Sequence, residues 1–252
     1  MRVLVCVKRV PAPGARIVLS EDARSIDTSL LSFAVSPHEE CAVEEGVRIA
    51  EATTGSVTVL TLGPPEAEEQ LRSALAVGAH EAVLIPTEGE DWDPISTASA
   101  IADAIAGLES SDGGFDLVLF GNESADSGGY QVGIRVAHTL GRPVVAGIKG
   151  IDASDDEVEL RRDTTTGSEV YRLPLPAVVT VKEGINLPRY PTLKGRLNAK
   201  KVEVKRVIEA RAGSGQTMVR LKTPAQEVSE TTILEDASAV VDLLEELQVV
   251  GR

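Results

Sequence analysis

The residues with the greatest capacity for ligand chemistry lie in one short polar segment, GNESADSGGYQVG. It follows the apolar run FDLVLF and precedes IRVAHTLG, which has helical periodicity. Ser124 and Ser127 can donate hydrogen bonds, while Asp126 can accept them from ribose hydroxyls or cap the next helix. Gly128 and Gly129 let a ligand approach the backbone closely. A strand-to-helix connection normally needs about two to six residues, so this segment is predicted to hold a ligand.

Composition narrows the classes of partner. The chain has 252 residues, a net charge of −14 and only 3% aromatic residues. Such an acidic surface disfavours duplex nucleic acid and anionic membranes. No leader-like segment and no apolar run of about 18 residues is present, so a cytoplasmic protein without direct membrane insertion is expected. The cysteines, Cys6 and Cys41, lack CxxC spacing and are predicted to be buried thiols.

Several common catalytic and cofactor motifs are missing from the sequence. It contains no GxGxxG fingerprint, no GxxxxGK[ST] phosphate loop and no GxSxG elbow. The three histidines do not have metal-ligand spacing. The acidic pairs Glu39–Glu40 and Glu44–Glu45 fall on a predicted helix and are expected on its solvated face. No catalytic residue and no metal site is therefore assigned, and the chain is expected to bind a cofactor or partner.

The first 148 residues alternate apolar strands with helical stretches. The first helix is signalled by Ser36 as N-cap, Pro37 at the first helical position and Glu39 three residues after the cap. Such alternation predicts an α/β fold with a doubly wound, mostly parallel sheet covered by helices on both faces. Ligands of such sheets bind beyond the carboxyl ends of the strands, which is where the polar segment lies.

The second half of the chain has a different pattern. EVELRR and SEVYRL alternate apolar and polar residues across DTTTG, which predicts a β-hairpin within residues 157–173. PAVVTV is predicted to return to the sheet. The chain then becomes extended and ends in an amphipathic helix marked by Val240, Leu243, Leu244 and Leu247. Docking on a partner subunit and packing back on its own domain are equally compatible with this arm.

Five motifs in order carry a resemblance to a known family. They are VLVCVKRVP, SPHEECAVEEGVRI, LGPPEAEEQLRSALAVGAHEAVLI, DLVLFGNESADSGGYQVG and LPLPAVVTVKEGINLPRYPTLKGRLNAKK. Together they resemble the β subunit of electron transfer flavoproteins, including FixA-like proteins, over nearly the whole chain.

The resemblance implies a nucleotide-binding fold of the adenine nucleotide α hydrolase type. Residues 1–185 would form that domain, with the hairpin included, and residues 186–252 would form a recognition loop and a partner-wrapping C-terminal arm. It also implies a heterodimer with an α subunit that holds most of an FAD. The complex would carry electrons from flavin dehydrogenases to a quinone-linked or soluble acceptor, without acid, base or nucleophile residues of its own.

The resemblance also implies site residues. The nucleotide, AMP or a second FAD, would be held by residues from three strand ends and one helix start, namely Cys6, Ser36, Pro37, His38, Glu39, Leu62, Gly121, Asn122, Glu123, Ser124, Ala125, Asp126, Ser127, Gly128, Gly129, Tyr130, Gln131 and Val132. Leu193 would anchor docking to dehydrogenases, the alternative being a local packing residue.

Three other functions compete with this interpretation. An electron-bifurcating complex would carry a second FAD in place of AMP, and the extracted ligands distinguish it. A stand-alone adenine-nucleotide sensor of the universal-stress type would fold alone with ATP, but its phosphate-binding glycine motif is absent. A hydrolase on the same fold would need catalytic groups that the sequence does not show.

Overall fold

The computed structural model describes residues 1–88, 91–213, 215–224 and 233–249. In these ranges the strands are β1 (Arg2–Cys6), β2 (Val10–Pro11), β3 (Phe33–Ala34), β4 (Ser56–Gly63), β5 (Glu81–Pro86), β6 (Leu117–Gly121), β7 (Val144–Ile148), β8 (Gly150–Ala153), β9 (Glu157–Thr164), β10 (Gly167–Pro174), β11 (Ala177–Val181) and β12 (Val204–Arg206). The helices are α1 (Pro37–Thr53), α2 (Glu68–Val77), α3 (Pro94–Asp112), α4 (Val132–Thr139), α5 (Leu193–Ala199) and α6 (Ala237–Glu246), and a turn of 3₁₀ helix, Pro65–Ala67, precedes α2.

Among the described residues, the main sheet has seven strands in the order β12-β5-β4-β1-β6-β11-β7. All of its pairs are parallel. The chain moves outward from β1 through β4 to β5 and then crosses to β6 on the other side of β1. This reversal between β1 and β6 is the switch point at which doubly wound sheets bind ligands. The predicted fold class is confirmed.

Alternating residues of each strand supply two separate apolar cores. Val3 and Val5 of β1 face a core shared with α1, α2 and the hairpin strands. Leu4 and Cys6 face a second core shared with α3 and α4. The strands are therefore buried on both faces, as their nearly continuous apolar sequences require. Cys6 and Cys41 are both buried free thiols, as predicted.

The predicted hairpin forms part of a small antiparallel sheet in the order β10-β9-β8. β9 and β10 are the two alternating runs, and the intervening turn lies within DTTTG. The sequence did not predict β8, which extends this sheet next to β9. Val158 and Leu160 of β9 are fully buried in the first core, so the hairpin covers the same face of the main sheet as α1. PAVVTV returns to the main sheet, as predicted. It forms β11, which lies between β6 and β7.

Helix α1 begins as the sequence predicts. Ser36 is the N-cap, Pro37 opens the helix, and the side chains and backbones of Ser36 and Glu39 form a capping box. The prediction that its acidic pairs face solvent is wrong for three of the four residues. Glu39, Glu44 and Glu45 are all buried, because residues 182–192 lie against the helix and supply polar partners for Glu44 and Glu45.

The segment after β11 contains two elements that the sequence did not predict. Leu193 opens the short helix α5, which packs on α2, and β12 then pairs with β5 at the edge of the main sheet. Parts of the extended arm lie against the domain, since Ser96 Oγ donates to the Ala212 carbonyl over 3.0 Å. Other parts of the predicted arm, residues 214 and 225–232, lie outside the described residues. The proposed boundary between residues 185 and 186 remains a prediction.

Helix α6 is amphipathic, as predicted, and none of its residues is buried. Val240, Leu243 and Leu247 share one face at helical spacing, and each remains at least partly solvent-exposed. Within the described residues, no helix is both long enough and apolar enough to cross a membrane.

Candidate functional site

The polar segment begins where β6 ends, and it leans against the first turn of α1. A Cβ atom at Gly121 would lie 2.6 Å from Glu39 Cγ and 3.2 Å from the Glu39 amide nitrogen. Such distances leave no room for a side chain, so glycine is required here. The carboxyl end of β6 and the N-terminus of α1 are thereby brought together at the switch point.

Short polar contacts within the segment fix its shape. Ser124 Oγ and Ser127 Oγ lie 2.8 Å apart, and the Gly128 amide donates to the Ser124 carbonyl over 3.0 Å. Gly128 and Tyr130 both adopt left-handed backbone, each with φ of +53°. Glycine adopts this conformation at little cost, whereas a tyrosine must be held in it by its surroundings. The segment is therefore folded into a definite turn before α4 begins.

Asp126 is linked to the end of β1. Its carboxylate forms an ion pair with Lys8 Nζ and accepts a 2.8 Å hydrogen bond from the Ser127 amide. Partial burial acts to raise the pKa of Asp126, but the Lys8 charge and hydrogen bonds from Lys8, Ser124 and Ser127 outweigh it and lower that pKa. Asp126 is therefore held as a carboxylate, with hydrogen-bond-accepting capacity at the rim of the site.

His38 connects the segment to the loop after β11. Its Nδ1 accepts a 2.8 Å hydrogen bond from the Glu183 amide. A neutral His38 therefore carries its proton on Nε2, which lies 3.3 Å from Glu123 Oε1. The sequence did not predict Glu183 as a site residue. It predicted that β11 joins the sheet, but not that β11 lies beside β6.

An open cavity of about 490 Å³ lies between these groups. Its lining consists of Pro37, His38, Glu123, Ser124, Ala125, Asp126, Ser127, Gly128 and Glu183. Eight of these nine residues are among the predicted site residues, and they come from the start of α1 and the segment after β6. The volume is within the range of small-molecule sites, about 300–1,000 Å³.

The predicted residues Gly129, Tyr130, Gln131 and Val132 are not part of this lining. α4 begins at Val132, and Gln131 Oε1 accepts hydrogen bonds from Arg135, one turn along the helix. The Tyr130 side chain is exposed. These residues join the cavity-lining segment to the first turn of α4.

The remaining predicted residues are not part of the cavity lining either. Cys6 ends β1, and Leu62 lies near the end of β4. Asn122 Oδ1 accepts a 2.9 Å hydrogen bond from Thr180 Oγ1, which in turn accepts one from the Gly147 amide. This chain of hydrogen bonds ties the carboxyl ends of β6, β11 and β7 together, and it explains why Asn122 points away from the cavity.

Ser36 and Glu39 are buried beside the cavity and are not part of its lining. Burial raises the pKa of Glu39 to about 7, although hydrogen bonds from Ser36 and Lys8 and the Lys8 charge act against it. Burial, and secondarily the Glu39 charge, also raise the pKa of the Cys6 thiol. A protonated thiol in an apolar setting is a poor nucleophile, so Cys6 supplies packing rather than reactivity.

The described residues contain no cluster of three or more His, Cys, Asp or Glu side chains that could hold a metal ion. The groups around the cavity are hydroxyls, carboxylates, one imidazole and backbone amides. Such a set can bind a polar ligand through hydrogen bonds. It does not contain an activated nucleophile paired with a base.

Comparison with known proteins assigns the family. The family model described as the electron transfer flavoprotein domain matches residues 26–212, well over half of the chain. An electron transfer flavoprotein subunit beta from Mycobacterium bovis is 34% identical over 236 residues, covering 91% of this chain and 87% of that protein. The Bacillus subtilis protein of the same name is 34% identical over 203 residues, covering 80% of this chain and 76% of its own length. Protein FixA from Rhizobium meliloti is 34% identical over 217 residues, covering 84% and 74% respectively. The chain therefore belongs to the electron transfer flavoprotein family and groups with its beta subunits.

Proposed function

We propose that this chain binds an adenine nucleotide in the cavity at the β1/β6 switch point and works as the smaller partner of a flavin-bearing α subunit. The cavity lined by Asp126 and its neighbours is the observation that carries the proposal. In the complex, FAD supplies the redox chemistry. This chain supplies binding and orientation, and it carries the surfaces that bring electron donors close.

The residues present fit the nucleoside part of such a ligand. Glu123, Asp126 and Glu183 are acceptors for ribose hydroxyls, and Ser124 and Ser127 can donate or accept. The same carboxylates would repel phosphate oxygens. We therefore place the phosphate end away from them, toward the first turn of α4, where backbone N–H groups and the helix dipole favour anions.

The shared adenosine part leaves AMP and a second FAD as the two candidate nucleotides. Denaturing the purified heterodimer and identifying the released ligands by chromatography and mass spectrometry distinguishes them. One FAD with one AMP indicates a simple carrier, whereas two FAD without AMP indicate the bifurcating type. Release of FAD alone at one per heterodimer would contradict nucleotide binding in this chain.

Replacement of Asp126 tests the location of the nucleotide. Asp126→Ala removes both the ion pair with Lys8 and an acceptor at the cavity rim, so we expect the nucleotide content of the purified complex to fall several-fold. Asp103→Ala, which removes an exposed carboxylate from α3, is the matched control and should leave the content unchanged. Equal nucleotide content in both variants would reject Asp126 as a site residue.

We propose that the α subunit covers the apolar face of α6. That helix has no buried residue, although Val240, Leu243 and Leu247 present a continuous apolar stripe. Among the described residues nothing encloses this stripe, and an amphipathic helix gains most of its stability by packing it. Helix α6 would thus pack on the α subunit rather than on its own domain.

We also propose that Leu193 anchors docking of a flavin dehydrogenase. Its side chain is 76% exposed at the start of α5, so the alternative of a packing residue finds no support in its surroundings. Leu193→Ala should slow reduction of the complex by a dehydrogenase while leaving the flavin spectrum and the reduction by dithionite unchanged. An unaltered rate with the dehydrogenase would remove Leu193 from the docking site.

A further inference from the structure

The surface around Leu193 is broader than one residue. Four large apolar side chains lie within eleven residues of one another: Leu187, Tyr190, Leu193 and Leu197 are 91%, 94%, 76% and 53% exposed. We call them the docking surface. The first two come from the segment before α5, and the last two lie one turn apart on α5 itself.

The segment that carries Leu187 and Tyr190 has no regular secondary structure. Between Val181 at the end of β11 and Leu193 at the start of α5, the backbone is not part of a strand or a helix. Such a segment keeps a single conformation only if other contacts hold it. Its side chains and α1 provide those contacts.

Asn186 makes the first attachment. Its Nδ2 donates to the Cys41 carbonyl over 3.0 Å and to Glu45 Oε2 over 2.8 Å. Both acceptors belong to α1, and Glu45 is buried. This contact fixes the backbone just before Leu187.

Arg189 makes the second and larger attachment. Its Nε lies 2.9 Å from Glu44 Oε2, and its Nη1 lies 2.7 Å from Glu51 Oε1. Nη2 donates to both carboxylates over 3.0 Å, and the Arg189 amide donates to Glu44 Oε2 over 3.1 Å. We call this group of three side chains the carboxylate clamp.

The clamp is stronger than a usual surface ion pair. Glu44 is buried, so without Arg189 its carboxylate would lose its main partner in a partly desolvated position. Glu44 and Glu51 lie seven residues apart and therefore share one face of α1. The planar guanidinium bridges them with charge-assisted hydrogen bonds in a defined orientation.

The geometry next to the clamp determines where Tyr190 points. The Arg189 side chain is turned toward α1, whereas the next side chain, Tyr190, is exposed to solvent. Pro188 and Pro191 flank this pair and fix two φ angles. The clamp thus sets the position of Tyr190 relative to Leu193, three residues later.

We infer that Arg189 is a positioning residue for partner docking: by gripping Glu44 and Glu51 on α1, it presents Leu187 and Tyr190 together with Leu193 and Leu197 as one preformed apolar surface. The inference rests on the proposed docking role of Leu193. The partner would offer an apolar depression with an acidic rim, since the exposed cations Lys194, Arg196, Lys200 and Lys201 lie close to these residues in the sequence. A preformed surface avoids the entropic cost of ordering the segment on binding.

The test uses the complete heterodimer and a purified flavin dehydrogenase that reduces the unmodified complex. Arg189→Ala should raise the KM for the complex about fivefold to tenfold, with kcat nearly unchanged, because the contact residues remain but are no longer preorganised. Arg189→Lys, which retains charge but not the bidentate fork, should give an intermediate KM. Reduction by dithionite and the flavin spectrum should not change. Arg24→Ala, an exposed arginine outside this surface, is the control for loss of one positive charge.

Hydrogen–deuterium exchange adds a readout that is independent of activity. Exchange at residues 185–193 should accelerate in Arg189→Ala and stay normal in Leu193→Ala and Arg24→Ala. If Arg189→Ala does not yield a folded complex, Glu51→Gln replaces it, since that exposed carboxylate is the outer half of the clamp. It should raise KM and local exchange in the same direction to a smaller extent.

The outcomes separate this inference from the docking proposal. If Leu193→Ala raises KM but Arg189→Ala, or its substitute Glu51→Gln, does not, the positioning role is overturned and docking at Leu193 stands. If neither variant raises KM, docking at this surface is wrong, and the positioning role with it. If both variants raise KM, the double variant Arg189→Ala with Leu193→Ala should raise KM by less than the product of the two single increases. The reason is that the two residues serve the same surface. A full product would overturn the positioning role.

Discussion

Glu39 is a buried side chain with an ionisable carboxyl group, and its burial disfavours the charged form of that group. Its carboxylate completes the capping box of α1, and burial raises its pKa to about 7. The sequence predicted the capping box from residue types and spacing alone. It did not predict the burial, because that depends on Gly121 arriving against Glu39 from a strand that lies 82 residues further along the chain.

This pKa makes stability depend on pH. In the unfolded chain a glutamate titrates near about 4.3, so between that pH and about 7 the folded state binds more protons than the unfolded state. The contribution of Glu39 to stability is therefore greatest at low pH and is lost as the pH rises through this window. Glu39→Gln keeps the capping acceptor without the charge, so we expect it to gain about 1–3 kcal/mol relative to the wild type between pH 5 and pH 8.

Urea unfolding at the two pH values measures this effect. Glu203→Gln, which changes an exposed carboxylate, is the control and should show the wild-type pH dependence. If Glu39→Gln and the wild type lose stability in parallel as the pH rises, Glu39 is ionised in the folded state throughout and its raised pKa is wrong.

Helix α5 is the element that best shows what local sequence could not reveal. RYPTLKGRLNAKK contains one proline, one glycine and few apolar residues, and it was predicted as a loop. The structure forms a helix there because Thr192 caps it and because Gly195 and the buried Ala199, four residues apart, share the face on α2. Tertiary packing thus outweighs weak local propensity. The capped helix α1, in contrast, was predicted correctly from its first residues.

Replacement of Gly195 tests this packing. A Cβ atom there would lie 2.2 Å from the Ala76 carbonyl oxygen, so Gly195→Ala forces α5 away from α2. We expect a loss of about 1–3 kcal/mol in the free energy of unfolding, together with faster trypsin cleavage at Lys194 and Arg196.

Gly107 of α3 is the matched control for this change. It is also helical, but a Cβ atom there would meet no heavy atom within 4 Å. Gly107→Ala should therefore stabilise the protein by about 0.5–1 kcal/mol through helix propensity. Equal effects of the two substitutions would show that α5 does not pack closely on α2.

At the scale of the whole molecule, the apolar residues of the sheets are enclosed, whereas those of α6 are exposed. The doubly wound sheet and the hairpin sheet enclose two cores, and the order of predicted strands and helices was sufficient to predict this architecture. Sequence alone could not rank docking of the arm on a partner against docking on its own domain. In the structure part of the arm lies against its own domain, since Ser96 Oγ donates to the Ala212 carbonyl, whereas α6 buries none of its residues.

A chain terminated after residue 232 tests the role of α6. Because no residue of α6 is buried, its removal should leave the melting temperature of this subunit within about 2 °C of the wild-type value. It should nevertheless reduce the yield of heterodimer in co-purification with the α subunit. Leu243→Glu in the full-length chain should reduce that yield in the same way, and Asp242→Ala on the same helix should not. If the shortened chain gives the same yield of heterodimer as the full-length chain, residues other than those of α6 bind the α subunit.

Helix α1 supports both the candidate ligand site and the proposed docking surface. Its first turn, at Pro37 and His38, forms a wall of the cavity, and its middle and last turns hold Arg189 through Glu44 and Glu51. On these two proposals, a change that tilts or shifts this helix would disturb ligand retention and partner choice at once. Adaptation to a new electron donor would then be easier through exposed residues such as Leu187, Tyr190 and Leu197 than through the acidic helix that supports them.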